Sequence, residues 1–223
     1  MLTDAMTGST SCAGEGGMSW CIDPDNAFQN NDPSLPLKEE PTEFRRGSMA
    51  FTVRYAAALG LVHSSLFALK KNGNIVAGAV MLPPNAPRDL SLCDWIAHWD
   101  SVKPIHNSQI SGPSSKRFMA LTSMMEKQHK KYASVPHWYL YVFASSPKCQ
   151  GKGYGRELLT VLTNIADNTG HPIYLETMGP RNERFYNRNG FITKERKVLE
   201  VKATGEKMDV DGGMIAMVRP APT

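Results

Sequence analysis

The chain has 223 residues, which at the usual domain size of ~150 residues is between one and two domains. An apolar share of 41% with 21% charged residues is enough to bury a core, and it excludes wholesale disorder and collagen-like or coiled-coil composition. The formal charge of +4 comes from 25 basic and 21 acidic residues that are interleaved almost everywhere, too mild a bias to argue for a nucleic-acid partner.

Residues 1–46 are poor in Val, Ile and Leu and rich in Gly, Ser, Asn, Asp and Pro, so they read as a loosely structured, low-complexity arm ahead of one domain over 47–223. No Lys or Arg precedes Lys38, while Asp4 and Glu15 do, which fits neither a secretory signal nor a transit peptide; the cytoplasm is the expected residence. From Met49 a helical period runs to a plausible stop at Gly60. The apolar stretch 56–69 is interrupted by His63 and two serines and is shorter than the ~20 residues of a spanning helix, so no membrane partner is expected. Asn72-Gly73 between two apolar runs is a hairpin signal. The proline-rich stretch 83–113 has no assignable regular structure beyond a short helix in SLCDWIAHW.

Ser114 or Ser115 caps a helix reaching about Lys131, with Phe118, Leu121, Met125 and Tyr132 at helical spacing. His137 to Ser145 is aromatic and β-branched, as in a strand buried on both faces. A Gly-rich turn then leads into a helix over about 153–167 whose stripe is Leu158, Leu159, Leu162 and Ile165. PIYLETM reads as a strand, Asn182 to Asn189 as a short helix closed by Gly190, FITKERKVLEV as a strand and MIAMVRP as a last one. The second half is β-α-β-α-β-β, an α/β pattern. Cys12, Cys21, Cys93 and Cys149 form no CxxC pair and have no His at zinc spacing, so reduced thiols and no metal are expected.

The turn Gln150-Gly151-Lys152-Gly153-Tyr154-Gly155-Arg156 is suited to a phosphate, because glycines let a ligand approach backbone N–H groups at the positive end of a helix. A dinucleotide fingerprint would need glycine where Arg156 stands, a Walker A loop would need Ser or Thr where Gly153 stands, and no GxSxG nucleophile elbow occurs. Lys148, Lys152 and Arg156 add a local positive field.

Gln150-x-x-Gly153-x-Gly155 between a buried strand and an amphipathic helix resembles the pyrophosphate loop of the GNAT superfamily of N-acetyltransferases. Asn182-Glu183-Arg184-Phe185-Tyr186-Asn187-Arg188-Asn189-Gly190-Phe191 is similar to that family's second signature, and the similarity covers roughly 73–220, with its signature region at 137–191. PHWYL with YLET resembles the branch that includes puromycin-type antibiotic acetyltransferases and other small-molecule acetylases. The resemblance implies an α/β (α+β by layer) fold with a mixed, mostly antiparallel central sheet flanked by helices and splayed at its central strand. It implies acetyl-CoA as co-substrate, with the pyrophosphate on Gln150 to Arg156, pantetheine along Phe143, Ala144 and Ser145, and Asn182 and Tyr186 also contacting the cofactor.

Carried onto this chain, Tyr186 matches the general acid that protonates the departing thiolate. Glu176 is the first choice for the base, since a carboxylate on a strand beside the central one is costly unless it works or is paired; Glu126 and His137 are weaker candidates. Tyr186 as a packing residue, Asn182 as an N-cap and Cys149 as an ordinary loop thiol are the plain structural alternatives. Trp95, His98, Trp99, Trp138, Tyr139 and Phe143 are candidates for an aromatic acceptor pocket, with core packing the stronger reading for Trp138 and Phe143. The expected activity is acetyl transfer to a small primary amine; the alternatives are a non-catalytic acyl-CoA-binding module and a protein acetyltransferase. Family members usually open with a strand that 1–46 does not show, and nothing in the pattern chooses between monomer and homodimer.

Overall fold

Asn72 and Gly73 both adopt positive φ (49° and 78°), the requirement of a two-residue hairpin turn whose twist matches the flanking strands. They join β1 (Leu66–Lys71) to β2 (Asn74–Leu82), the first two strands of the sheet. This is a computed structural model, and it describes residues 1–9, 16–27, 29–30, 32, 35–103, 112–208, 210 and 212–222. The sheet continues through β3 (Trp138–Ser145), β4 (Ile173–Met178), β8 (Met214–Arg219) and β5 (Ile192–Lys197), in the order β1-β2-β3-β4-β8-β5. Every neighbouring pair is antiparallel except β3 and β4, which run parallel and so need a crossover. That crossover is α7 (Tyr154–Asn168).

Two layers of helix cover the sheet. On one face α7 buries Leu158, Leu159, Leu162 and Ala166 against Ala79, Leu140, Ile173 and Leu175, the stripe expected from its spacing with Ala166 added. Next to it α8 (Pro180–Asn187) is fastened to β5 by the buried Glu183, which accepts hydrogen bonds from Thr193 Oγ1 and from Arg196 at 2.6 Å. On the other face lie α3 (Glu43–Val62) and α6 (Gly112–Tyr132). Two short helices, α4 (Leu92–Ala97) and α5 (Trp99–Val102), stand between β2 and α6. Ser91 caps α4 through a reciprocal bond with Asp94, which is why SLCDWIAHW forms a helix within the proline-rich stretch.

Three expectations are corrected. Gly60 does not stop α3; it lies inside the helix, where a Cβ would come within 3.2 Å of Leu66 and of Val80, so its absence lets the helix lie close on the sheet. The strand expected over 191–201 is two strands. β5 ends at Lys197, where the Gly213 backbone crosses it closely, and β6 (Glu200–Val201) pairs instead with β7 (Glu206–Lys207). The described parts of 1–46 are not loose: α1 (Leu2–Thr7) and α2 (Gly16–Ile22) pack on α3 and α6, with Trp20, Cys21 and Leu37 buried.

What holds that segment is polar. Arg45 of α3 is completely buried; its Nε donates to Thr7 O (3.1 Å), NH1 to Asn26 O (3.0 Å) and NH2 to Ser19 Oγ (2.8 Å), with Asp23 Oδ2 at 3.8 Å. Arg117 of α6 makes a similar tie, donating to Cys21 O (3.0 Å) and Glu206 Oε1 (2.9 Å). Replacing a buried, bonded cation by a methyl group strands its acceptors and leaves a void. Arg45→Ala is expected to lower the unfolding free energy by about 3 kcal/mol in urea denaturation; a loss under ~1 kcal/mol would show that the apolar contacts of α1 and α2 suffice.

Candidate active site

β3 and β4 pair at only two positions, Trp138 with Ile173 and Tyr139 with Tyr174. Beyond them the two strands have no ladder in common, while β3 stays paired with β2 as far as Ser145 and β4 with β8 as far as Met178. The sheet is therefore splayed at its central strand. On its other edge β3 carries an irregularity: Val80 pairs with Val142 and Met81 with Leu140, which leaves Tyr141 as the extra residue of a bulge.

At the far end of β3 the chain passes through a single 3-10 turn (Pro147–Cys149) into α7. Gly151 and Gly153 have φ of 77° and 81°, and a Cβ at either would meet nothing within 4 Å. Gly153 is the N-cap of α7, and no side chain caps the helix, so its first N–H groups are available to an anion. Gln150, Lys152 and Arg156 are exposed, and neither Lys152 nor Arg156 has an ion-pair partner among the described residues. Tyr154 begins the helix, and Gly155 lets its first turn lie against β3, where a Cβ would sit 3.1 Å from Ser145 Oγ.

Tyr186 projects from α8 onto the α7 side of the sheet. Its ring packs among Phe143 (6.4 Å between centroids), Phe185 (5.2 Å) and Phe191 (5.4 Å). Burial raises its pKa, so the hydroxyl keeps its proton throughout the physiological range. Phe143 stacks on Phe185, and Ala144 and Ser145 are half-buried at the end of β3. Asn182 is not the N-cap of α8; Gly179 is, and Asn182 is an exposed residue of the first turn.

Glu176 lies on the opposite face. Tyr174 and Glu176 alternate on β4 with Ile173 and Leu175, so they face α3 and α6 while the latter pair faces α7. Tyr139 donates its hydroxyl to Glu176 Oε2 at 2.7 Å, whereas Oε1 is sealed from solvent and without a partner. Burial pushes the Glu176 carboxyl up to about 7, an effect that the tyrosine hydroxyls only partly offset. The same desolvation raises Tyr139 and takes Tyr141 to about 12. The acid and base candidates thus stand on opposite faces of one sheet, on either side of the line where β3 and β4 part.

Of the weaker base candidates, Glu126 is exposed and paired with Lys130 at 2.8 Å, and His137 is engaged with His129, Nε2 to Nε2 at 2.8 Å. The six aromatic pocket candidates do not converge. Trp138 and Phe143 pack on the α7 side, Trp138 donating to Thr169 Oγ1, while Tyr139 faces the other way, Trp95 packs on Tyr55 and Trp99 is exposed. Sequence reasoning missed the His129–His137 pair and the bond from Tyr139 to Glu176. Alternation on β3 and β4 hints at the second, but nothing in the sequence gives their register. Among the described residues no three His, Cys, Asp or Glu form a group that could hold a metal, and no helix is long and apolar enough to cross a membrane.

A family model for the acetyltransferase (GNAT) family matches residues 35–191. The chain belongs to that family. It is 43% identical over 58 residues to an uncharacterised N-acetyltransferase of Schizosaccharomyces pombe, a match that spans 26% of this chain and 24% of the yeast protein. Among solved structures it is similar in fold to a Corynebacterium glutamicum protein described as a histone acetyltransferase and related acetyltransferase (TM-score 0.50, 19% identity, 92% of this chain and 88% of that one). It is also similar to a Drosophila melanogaster polyamine N-acetyltransferase (TM-score 0.50, 15% identity, 93% and 96%). The GNAT chain described here has the mixed, mainly antiparallel sheet expected from its motifs.

A carboxyl whose folded pKa, about 7, lies above its ordinary 4.5 binds its proton more tightly in the folded protein. Folding is then unpenalised below about pH 4.5 and progressively penalised as the pH rises through about 7. Glu176→Gln is therefore expected to match wild type in stability near pH 4.5 and to exceed it by roughly 3 kcal/mol above pH 7. Thermal or urea melts across that range check it, and parallel curves for the two proteins would refute the desolvated state of Glu176.

Proposed function

We propose that this protein is an acetyl-CoA-dependent N-acetyltransferase acting on a primary amine of a small molecule, by direct attack in a ternary complex. The observation that carries the reading is the Glu176 carboxylate, bonded through Oε2 to Tyr139 and standing on β4 two residues beyond its last pair with β3.

The residues fit a coenzyme A thioester. Gly151, Gly153 and the uncapped start of α7 supply N–H donors to a pyrophosphate, and Lys152 and Arg156 supply charge beside it. Phe143, Ala144 and Ser145 offer pantetheine the β3 edge that β4 has left. Coenzyme A contributes the activated acyl group and the thiol that leaves. Glu176 takes a proton from the acceptor's ammonium, leaving the neutral amine that attacks the thioester carbonyl, a task suited to a base of pKa about 7. A backbone N–H near the bulge at Tyr141 steadies the carbonyl oxygen as it gains charge. Tyr186, from the other face, gives its proton to the thiolate. The rest of the work is holding two reactants in line.

A small acceptor is supported by a cavity of about 500 Å³ beside Tyr139, roofed by residues 82–88 and 129–137. The Drosophila relative forms N-acetylagmatine, also a small product. Release of free thiol from acetyl-CoA with a panel of amines tests the activity. Tyr186→Phe is expected to lower kcat about a hundredfold with little change in KM for acetyl-CoA; a variant as fast as wild type removes Tyr186 from the mechanism. Glu176→Gln should lower kcat comparably and abolish the rise in rate that the wild type shows with a weakly basic amine as the pH passes about 7. An unchanged profile would assign that rise to another group.

A further inference from the structure

The cavity beside Tyr139 holds a pair of histidines whose hydrogen bonding can be worked out. His137 Nδ1 lies 2.7 Å from Val135 O, which can only accept, so Nδ1 carries the hydrogen. Neutral His137 therefore accepts at Nε2, and His129 Nε2–H is the donor across the 2.8 Å contact. His129 Nδ1 is left as a bare acceptor. It is sealed from solvent, has no partner, and belongs to a side chain only 7% exposed. With both rings neutral in this bonding, the pair brings no charge to the cavity wall.

The charged groups of the same wall are cationic. Arg88 lines the cavity and has no ion pair among the described residues; its charge is felt at His129, His137 and Glu176 alike. Its neighbour Asp89 is turned to the Tyr55 hydroxyl at 3.4 Å. Lys130, the second cation, is paired outward with Glu126. Among the described residues no carboxylate lines the cavity, and Tyr139, whose hydroxyl is bound to Glu176, forms its wall on the side of the proposed base.

We propose that this cavity seats the far end of the amine acceptor, and that this end carries an oxyanion, held by Arg88. The inference rests on the acetyl-transfer reading and deepens it by naming the acceptor class: amines bearing a carboxylate or phosphate, short peptides with a free carboxylate among them. A polyamine, with a second cation at its far end, would meet Arg88 with repulsion. The acceptor's amine then lies beyond Tyr139, towards Glu176.

Four probes of similar size separate the possibilities: glycylglycine, its uncharged terminal amide, phosphoethanolamine and diaminobutane. In thiol-release assays glycylglycine is expected to exceed both the amide and diaminobutane by roughly tenfold in kcat/KM, the scale of one charge-assisted contact. Phosphoethanolamine outrunning glycylglycine would identify the oxyanion as phosphate and keep the proposal in that form. Arg88→Ala, an exposed position that leaves the core intact, should shrink the oxyanion preference towards one. Calorimetric binding of the same probes to the protein with coenzyme A present gives a readout without turnover. If no amine is acetylated yet glycylglycine binds better than its amide in an Arg88-dependent way, the catalytic reading fails and the oxyanion seat stands. Equal binding of acid and amide, or a preference for diaminobutane, overturns the seat while leaving acetyl transfer to be judged by thiol release.

Discussion

The site depends on a ladder that stops. β3 and β4 are joined by two residue pairs, and the proposed site is arranged around the point where that ladder stops. A continuous sheet would satisfy the β3 edge with β4 and leave no room for a ligand between them. The parted sheet instead leaves backbone donors and acceptors of β3 to be met by something else. Parting is tolerable because each strand keeps its other neighbour, β2 for β3 and β8 for β4, and because both cores continue beneath the gap. The bulge at Tyr141 is part of the same device, since it turns Phe143 towards α7 just after Tyr139 has faced the other way.

Around that opening, desolvation tunes the two groups proposed as base and acid. Glu176 and Tyr186 occupy opposite faces of the sheet, and both become harder to ionise through burial, with opposite chemical consequences. A carboxyl raised to about 7 is a base that takes and returns a proton near neutrality, whereas a phenol raised above its ordinary value stays a donor. The two cannot exchange protons directly through the packed strands, so in the proposed reaction each serves its own side of the opening. The layer that dries Glu176 is built by α3 and α6, and α6 also brings His129 within 4.6 Å of the Tyr139 and Tyr174 rings. Arg45 and Arg117 matter here at one remove. They bind α1, α2 and the β6–β7 hairpin to α3 and α6, and so close the outer side of that layer.

Local elements were readable because their causes are local. The turn at Asn72-Gly73, the stripe of α7 and the stop of α8 before Gly190 need only neighbouring residues, and each is found where the pattern put it. Gly60 was misread for a physical reason: a glycine in a helix marks either an end or a close approach, and the deciding partners, Leu66 and Val80, are remote in sequence. The segment before α3 was misread because its composition lacks the aliphatic residues that normally advertise packing. A buried guanidinium with three acceptors does that work there, and such a contact leaves no periodicity.

By itself the sequence determined the family, through two glycine- and aromatic-rich signatures whose chemistry is written in contiguous residues, and it named Tyr186, Glu176 and the Gln150 to Arg156 loop as the groups to watch. Only the tertiary structure decided that Glu176 is desolvated and bonded to Tyr139, that the aromatic candidates divide between two faces, and that His129, His137 and Arg88 meet in one cavity. The reason is that a motif fixes which atoms are present and how the nearby backbone turns. The proton affinity of a side chain is set instead by what excludes water from it, and here that is done by helices more than forty residues away along the chain.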